Sequence, residues 1–226
     1  MKHRNSHLLV GYWSRLRKGR DVPDQTDIDP RAIKRMLSHI FILESSDPVR
    51  PFYRLAGTSL CERFGSELKG THFFAHWEPQ GRDALSALLR QSLAVKQPVC
   101  ISSVAATDYG MVELETVLAP VSFCNNGPTR FFGITEVLGD VSTLGGRPIA
   151  FQRLIGSQLI RENETISTHD NPPPPMMPEL KTLRGHLRAP HLRLVVSRPA
   201  SMNCDMDDAM LKLIAALEIT PRAVAN

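Results

Sequence analysis

No stretch of this chain approaches the roughly 18 apolar residues that a membrane-spanning helix needs. The apolar run Leu8 to Val10 is also far too short for the core of a secretory leader. A cytoplasmic setting with no membrane contact is the expectation. Cysteine is sparse and scattered: four residues, Cys61, Cys100, Cys124 and Cys204, form no CxxC pair, which argues against both a zinc knuckle and a disulfide framework. Phosphate-cradling glycine loops and the GxSxG nucleophile elbow are missing as well. No catalytic residue and no metal ligand is therefore assigned, and the chain is not expected to be an enzyme.

Acid is absent from residues 1–20, which carry Lys2, Arg4, Arg15, Arg17, Lys18 and Arg20. Residues 21–140 hold 11 basic and 15 acidic residues, a balance of −4, and residues 141–226 hold 10 and 8. The middle of the chain is mildly acidic between basic ends. Such ends are commonly just solvated; the rival reading gives them nucleic acid or anionic lipid to touch. What the chain does have is ordinary: 42 % hydrophobic and 22 % charged residues suit a soluble globular core.

Leu8, Leu9, Tyr12, Trp13 and Leu16 recur at helical spacing on one face, predicting an amphipathic helix of about three turns that Gly19 stops. That helix either caps its own core or pairs with a second copy or another protein, through Leu9, Tyr12, Trp13 and Leu16. Asp29 can cap, and Pro30 can begin, a helix over Arg31 to Leu37. His39 to Leu43 reads as a strand, and Glu44 to Pro48 as a turn. Phe52 to Ala56 is the second strand of the hairpin. Gly57 then allows a sharp turn into a short helix that Thr58 or Ser59 caps, with Glu62 at capping-box distance and Gly65 as the left-handed stop.

Thr71 to Trp77 is aromatic and reads as a helical turn or two. Pro79 opens a longer helix with Leu85, Leu88, Leu89, Leu93 and Val95 on its buried side, ending by Pro98. Three strands follow, Val99 to Val104, Val112 to Val121 and Arg130 to Leu138. This order predicts an α+β domain of five antiparallel strands with helices on one face, over residues 1–140. Residues 141–226 are expected to be a basic, proline-containing tail, with Phe151 to Ile160 as a helical extension and Asp205 to Leu217 as a short amphipathic helix.

The words Tyr12-Trp13, Leu16-Arg17, Gly19-Arg20, Pro23, Asp27-Ile28-Asp29-Pro30, Ile33 and Leu37 fall in order, followed by Tyr53-Arg54-Leu55-Ala56-Gly57-Thr58, Phe64-Gly65, Leu68 and Gly70. Over about residues 8 to 138 this text resembles a bacterial family of PAS domains, often stand-alone. The resemblance implies a sensory or protein-interaction module, commonly a homodimer, that works with a signalling partner. It implies neither catalysis nor a particular ligand.

Candidate chemistry is thin beside that. His72 and His76 would share a face if helical and so ligate a metal or approach a haem, but no further ligand stands at the right spacing. Leu60-Cys61-Glu62-Arg63 does not reproduce the asparagine–cysteine–arginine-type motif of flavin photosensors, so neither a haem nor a flavin motif is found and any cofactor is left open. Glu113 and Glu115 point the same way from one strand, either as an acid–base pair or as a solvated face with partners such as Arg54. Arg54 can instead hold a ligand carboxylate. Phe73, Phe74 and Trp77 with Leu88 and Leu89 either line a small-molecule pocket or pack the core.

Overall fold

The fold was obtained as a computed structural model, which describes residues 1–44, 50–124 and 128–161. The expectations for the proline run and for Asp205 to Leu217 lie outside the described residues. In chain order the elements are α1 (Arg4–Leu16), β1 (Ile40–Glu44), β2 (Phe52–Ala56), α2 (Thr58–Phe64), α3 (Pro79–Val95), β3 (Val99–Ala106), β4 (Met111–Ser122), β5 (Pro128–Val137) and β6 (Phe151–Leu159). Single 3₁₀ turns stand at Gln25–Asp27, Pro30–Ile33, Leu37–His39, Phe73–His76 and Val141–Leu144.

Every strand pairing is antiparallel, in the order β2-β1-β5-β4-β3-β6. The sheet therefore has six strands where five were expected. Phe151–Leu159, anticipated as a helical extension, is the sixth strand, so the sheet runs past the expected boundary at residue 140. The reason is a bulge. Ser102 pairs with Gly156 and Ser103 with Leu154, leaving Ile155 as an extra residue. The covered positions are Gln152, Leu154, Gly156 and Leu159, so the bulge breaks the strict alternation by which a strand is read.

Alternation along the central strands explains why the sheet is buried on both sides. Phe41, Leu43, Leu114, Leu118 and Phe131 face one core with α2 and α3, whereas Ile40, Ile42, Val117, Ala119, Phe132 and Ile134 face a second core under α1. Helices α2 and α3 occupy the face expected for them, and α1 covers the opposite one. Leu9, Tyr12 and Trp13 are buried there and the Trp13 indole donates to the Pro120 carbonyl at 2.7 Å. Burying such side chains stabilises docking by about 1.5–3 kcal/mol each.

Of the two glycines that bound α2, Gly57 acts by closeness and Gly65 by turning. Gly57 sits at φ −72°, an ordinary value, and caps α2 without any side-chain hydrogen bond, so the anticipated Ser59–Glu62 capping box is not formed. A Cβ at Gly57 would lie 2.4 Å from the Ser38 carbonyl oxygen, which is what selects glycine. Gly65 does end α2 in the left-handed region, at φ 66°.

Candidate functional site

Phe73, Phe74, Trp77 and Leu89 are buried between the sheet and α3, with Leu88 half-buried beside them. They form a packed aromatic cluster. Phe41 and Phe73 stack at 6.4 Å between ring centroids, Tyr53 meets Phe41 edge-on at 5.4 Å, and Phe73 contacts Trp77 at 5.8 Å. Burial pushes the Tyr53 phenol above its usual range. The Trp77 Nε1 and Ser86 Oγ atoms are buried without a hydrogen-bond partner.

Arg54 does not belong to this cluster. It is the extra residue of a bulge in β2, since Tyr53 pairs with Leu43 and Leu55 with Ile42. Its Nε lies 3.6 Å from Glu44 Oε2, and Arg130 holds Glu44 Oε1 at 2.9 Å. Glu44 and Arg130 follow Ile42 and Phe132 in strand alternation onto the α1 side. Arg54 is thus an ion-pair residue on the face opposite the aromatic cluster.

His72 and His76 are not brought together either. The turn between them is 3₁₀, in which positions four apart diverge. His76 instead packs against Phe64, the rings tilted at 45° with centroids 4.7 Å apart, and burial lowers its pKa. Among the described residues no group of three or more His, Cys, Asp or Glu side chains is placed to hold a metal ion. The Cys61 thiol, half-buried on α2, is pushed up by burial. Among the described residues no helix is long and apolar enough to cross a membrane.

The polar arrangement that stands out lies under α1. Glu115 of β4 and Glu136 of β5 are cross-strand partners, both buried, on the α1 face. Glu115 accepts from the backbone N–H of Lys2 at 2.6 Å and of His3 at 3.0 Å. Glu136 accepts from the Asn5 amide at 2.7 Å and pairs with His39 Nδ1 at 2.9 Å. Burial works to raise both pKa values. The donors outweigh it: the His3 and Lys2 N–H groups help hold Glu115 below its ordinary value, and His39 with Asn5 does the same for Glu136. Two carboxylates thereby clasp the start of α1.

The clasp continues to the other face of the sheet. Pairing of β1 with β5 begins at Ile40–Ile134, so the Thr135 carbonyl beyond it lacks a strand partner on that side. Arg63 of α2 supplies one, Nη1 donating at 3.1 Å, and its Nη2 lies 3.3 Å from His39 Nδ1. Arg63 and Glu136 thus meet at the same atom, His39 Nδ1, which serves one of them at a time: protonated it donates to Glu136, unprotonated it accepts from Arg63, whose charge also attracts Glu136.

Sequence reasoning paired Glu113 with Glu115. They do share a face, but Glu113 is exposed beside Lys2 Nζ at 3.3 Å, and neither meets Arg54. It missed Asn5, His39, Arg63 and Glu136. The available signal was an acid in each of two apolar strands; nothing local marks their partners.

Residues 1–136 match the family profile described as PAS domain. The chain belongs to the PAS domain family. No curated protein matches this PAS chain. Solved structures similar to it include one reported as "Flavin Analogue Sheds Light on Light-Oxygen-Voltage Domain Mechanism", at 11 % identity over 51 % of this chain and 87 % of that one, TM-score 0.40. Another is the light state of the photoreceptor Aureochrome1 LOV, at 11 % identity over 50 % and 91 %, TM-score 0.36. A third is the Rhodobacter sphaeroides LOV protein, at 15 % identity over 50 % and 70 %, TM-score 0.39.

Proposed function

We propose that this PAS domain is a bacterial cytoplasmic signalling module that acts through protein–protein contact, with α1 as its output element. The observation that carries the reading is the polar clasp. Leu9, Tyr12 and Trp13 are spent on their own sheet while α1 is docked, so they serve a second copy or a signalling partner only when α1 lets go. Its start is held by Lys2, His3 and Asn5 on Glu115 and Glu136, and through His39 and Arg63 the hold is linked to α2. A stimulus that displaces α2 then biases the docked and released states, which is the differential affinity any such switch requires.

A second reading has a small ligand between sheet and α3, and the unpartnered Trp77 Nε1 and Ser86 Oγ favour it. Nucleic-acid binding through the basic N-terminus is less well supported. Lys2 pairs with Glu113, Arg17 lies over the Trp13 ring, and Arg20 bonds Asp27 and the Leu16 carbonyl. A Glu113–Glu115 acid–base pair is not proposed, because the Glu115 oxygens are taken up by backbone N–H groups.

Native mass spectrometry of the full chain, with and without Trp13→Glu, tests the reading. The variant puts a charge on a residue that α1 uses both docked and released, so it should lower stability by more than about 3 kcal/mol and remove any dimer that the wild type forms. An unchanged mass and unfolding temperature would sink it. A small extra mass seen only under native conditions would select the ligand-gated version.

A further inference from the structure

His39 is the last residue of the 3₁₀ turn Leu37–His39, and that turn packs against both α2 and β5. The turn has little slack. A Cβ at Gly57, where α2 begins, would meet the Leu37 and Ser38 carbonyl oxygens, and the Gly57 N–H donates to the Ile40 carbonyl at 2.8 Å. The imidazole is nevertheless open to water, with 23 % of the side chain exposed. Glu136 of β5 reaches its Nδ1 at 2.9 Å, and Arg63 of α2 reaches the same atom at 3.3 Å. A ring nitrogen carries either a proton or a lone pair, so the two partners exclude each other.

We propose, resting on the reading of α1 as the output element, that His39 is a proton-binding site and that a change of pH between about 5 and 8 is the stimulus this PAS domain answers. Imidazole is the side chain that ordinarily changes charge in that range. A proton taken from water onto Nδ1, with Nε2 keeping its own hydrogen, makes an imidazolium that donates to Glu136 and repels the Arg63 guanidinium. The hold on Glu136, and through Asn5 on the start of α1, is tightened, while Arg63 is left with the Thr135 carbonyl. When the proton returns to water, Nδ1 accepts from Arg63 Nη2, and Glu136 loses a donor. One proton thereby trades the two helices against each other.

The charges around the ring stay fixed across this range. Glu136 and its cross-strand neighbour Glu115 are held below their ordinary value of 4.5, and a guanidinium does not deprotonate. On α2, Glu62 faces Arg63, and Cys61 turns to Glu67 with its thiol pushed up by burial. On the α1 side, the Lys2 and His3 N–H groups and the terminal amine face Glu115. His3, whose Nδ1 caps α1, also faces Glu136, and His7 lies against the Met1 carbonyl. The Arg63 carbonyl accepts from the Ile149 N–H at 2.7 Å, which makes that amide a reporter of α2.

The full chain, labelled with ¹⁵N, is titrated by NMR between about pH 8 and 5. The His39 Nδ1 should pass from acceptor to N–H, at a pH that rises in Arg63→Met, where the repelling cation is gone, and falls in Glu136→Gln, where the anion is gone. Hydrogen exchange at Ile149, normalised to its intrinsic rate, should be faster at the acid end by about fivefold or more, the low end of coupling between sites. In His39→Asn, whose amide does not titrate, that difference should vanish. His3 and His7 are present in both proteins, so what separates the two belongs to His39. A ring that keeps one protonation state throughout, or a midpoint that either variant leaves in place, would overturn the proposal. So would an Ile149 response that is missing in the wild type or persists in His39→Asn. The wild-type ring titration decides by itself should His39→Asn fail to fold. All these readouts are local, so a partner or dimer that never forms would sink the output reading and leave the proton site standing.

Discussion

Glu115 and Glu136 stand directly opposite each other on β4 and β5, buried, and both are held as carboxylates. Like charges in that position repel across the strands. Each is offset by its own donors, Glu115 by the Lys2 and His3 backbone and Glu136 by Asn5 and His39. The docking of α1 is therefore bound up with the ionisation of two acids.

From this follows a pH dependence. A carboxyl whose pKa falls on folding binds fewer protons in the folded state, so its stabilisation is complete above its ordinary value of 4.5 and drains away as pH falls through the lowered one. Denaturant unfolding followed by the Trp13 indole N–H resonance should show α1 weakening below about pH 4.5. Glu115→Gln with Glu136→Gln should flatten that slope. An identical slope in wild type and double variant would remove the acids from the account.

Arg63→Met takes the donor from the Thr135 carbonyl and the cation from beside His39. Loss of a hydrogen bond to a buried carbonyl should cost about 1–3 kcal/mol in urea unfolding. The exposed Glu62, its neighbour on α2, serves as the comparison: Glu62→Ala should stay within about 0.5 kcal/mol. Equal effects from the two would mean that Arg63 bridges nothing.

Gly133 faces the aromatic cluster, and a Cβ there would lie 2.5 Å from Phe41 Cζ and 2.8 Å from Leu118 Cδ2, both buried. Gly133→Ala should cost about 1–3 kcal/mol by overpacking. Gly156→Ala on the edge strand meets nothing within 4 Å, so any change there should stay within about 0.5 kcal/mol. Thermal unfolding of the two variants checks the contrast, and a neutral Gly133→Ala would mean that Phe41 has room to move.

Much of this architecture was legible because the sequence carries clean periods. The α1 face, β1, β3 and α3 each keep one spacing from end to end, and Asp29 caps as anticipated, its Oδ1 accepting from the Arg31 N–H at 2.9 Å, although a 3₁₀ turn over Pro30–Ile33 stands where a helix to Leu37 was expected. Bulges defeated the rest. One at Ile155 broke the alternation that would have marked β6 as a strand, and one at Arg54 turned a supposed pocket cation toward Glu44. The clasp was illegible for another reason. Glu115 is met by groups 112 and 113 residues away and Glu136 by one 131 residues away, two of them backbone N–H groups that any residue supplies.

Phe131 and Phe132 are consecutive on β5, yet the first lies in the core beneath α3 and the second in the core beneath α1. A single peptide unit is shared between the two hydrophobic layers. Neither layer can then be repacked as if it were alone, because any shift that lets one phenylalanine settle moves the anchor of the other. Substitutions on opposite sides of this sheet, far apart as side chains, are for that reason expected to be non-additive at this strand.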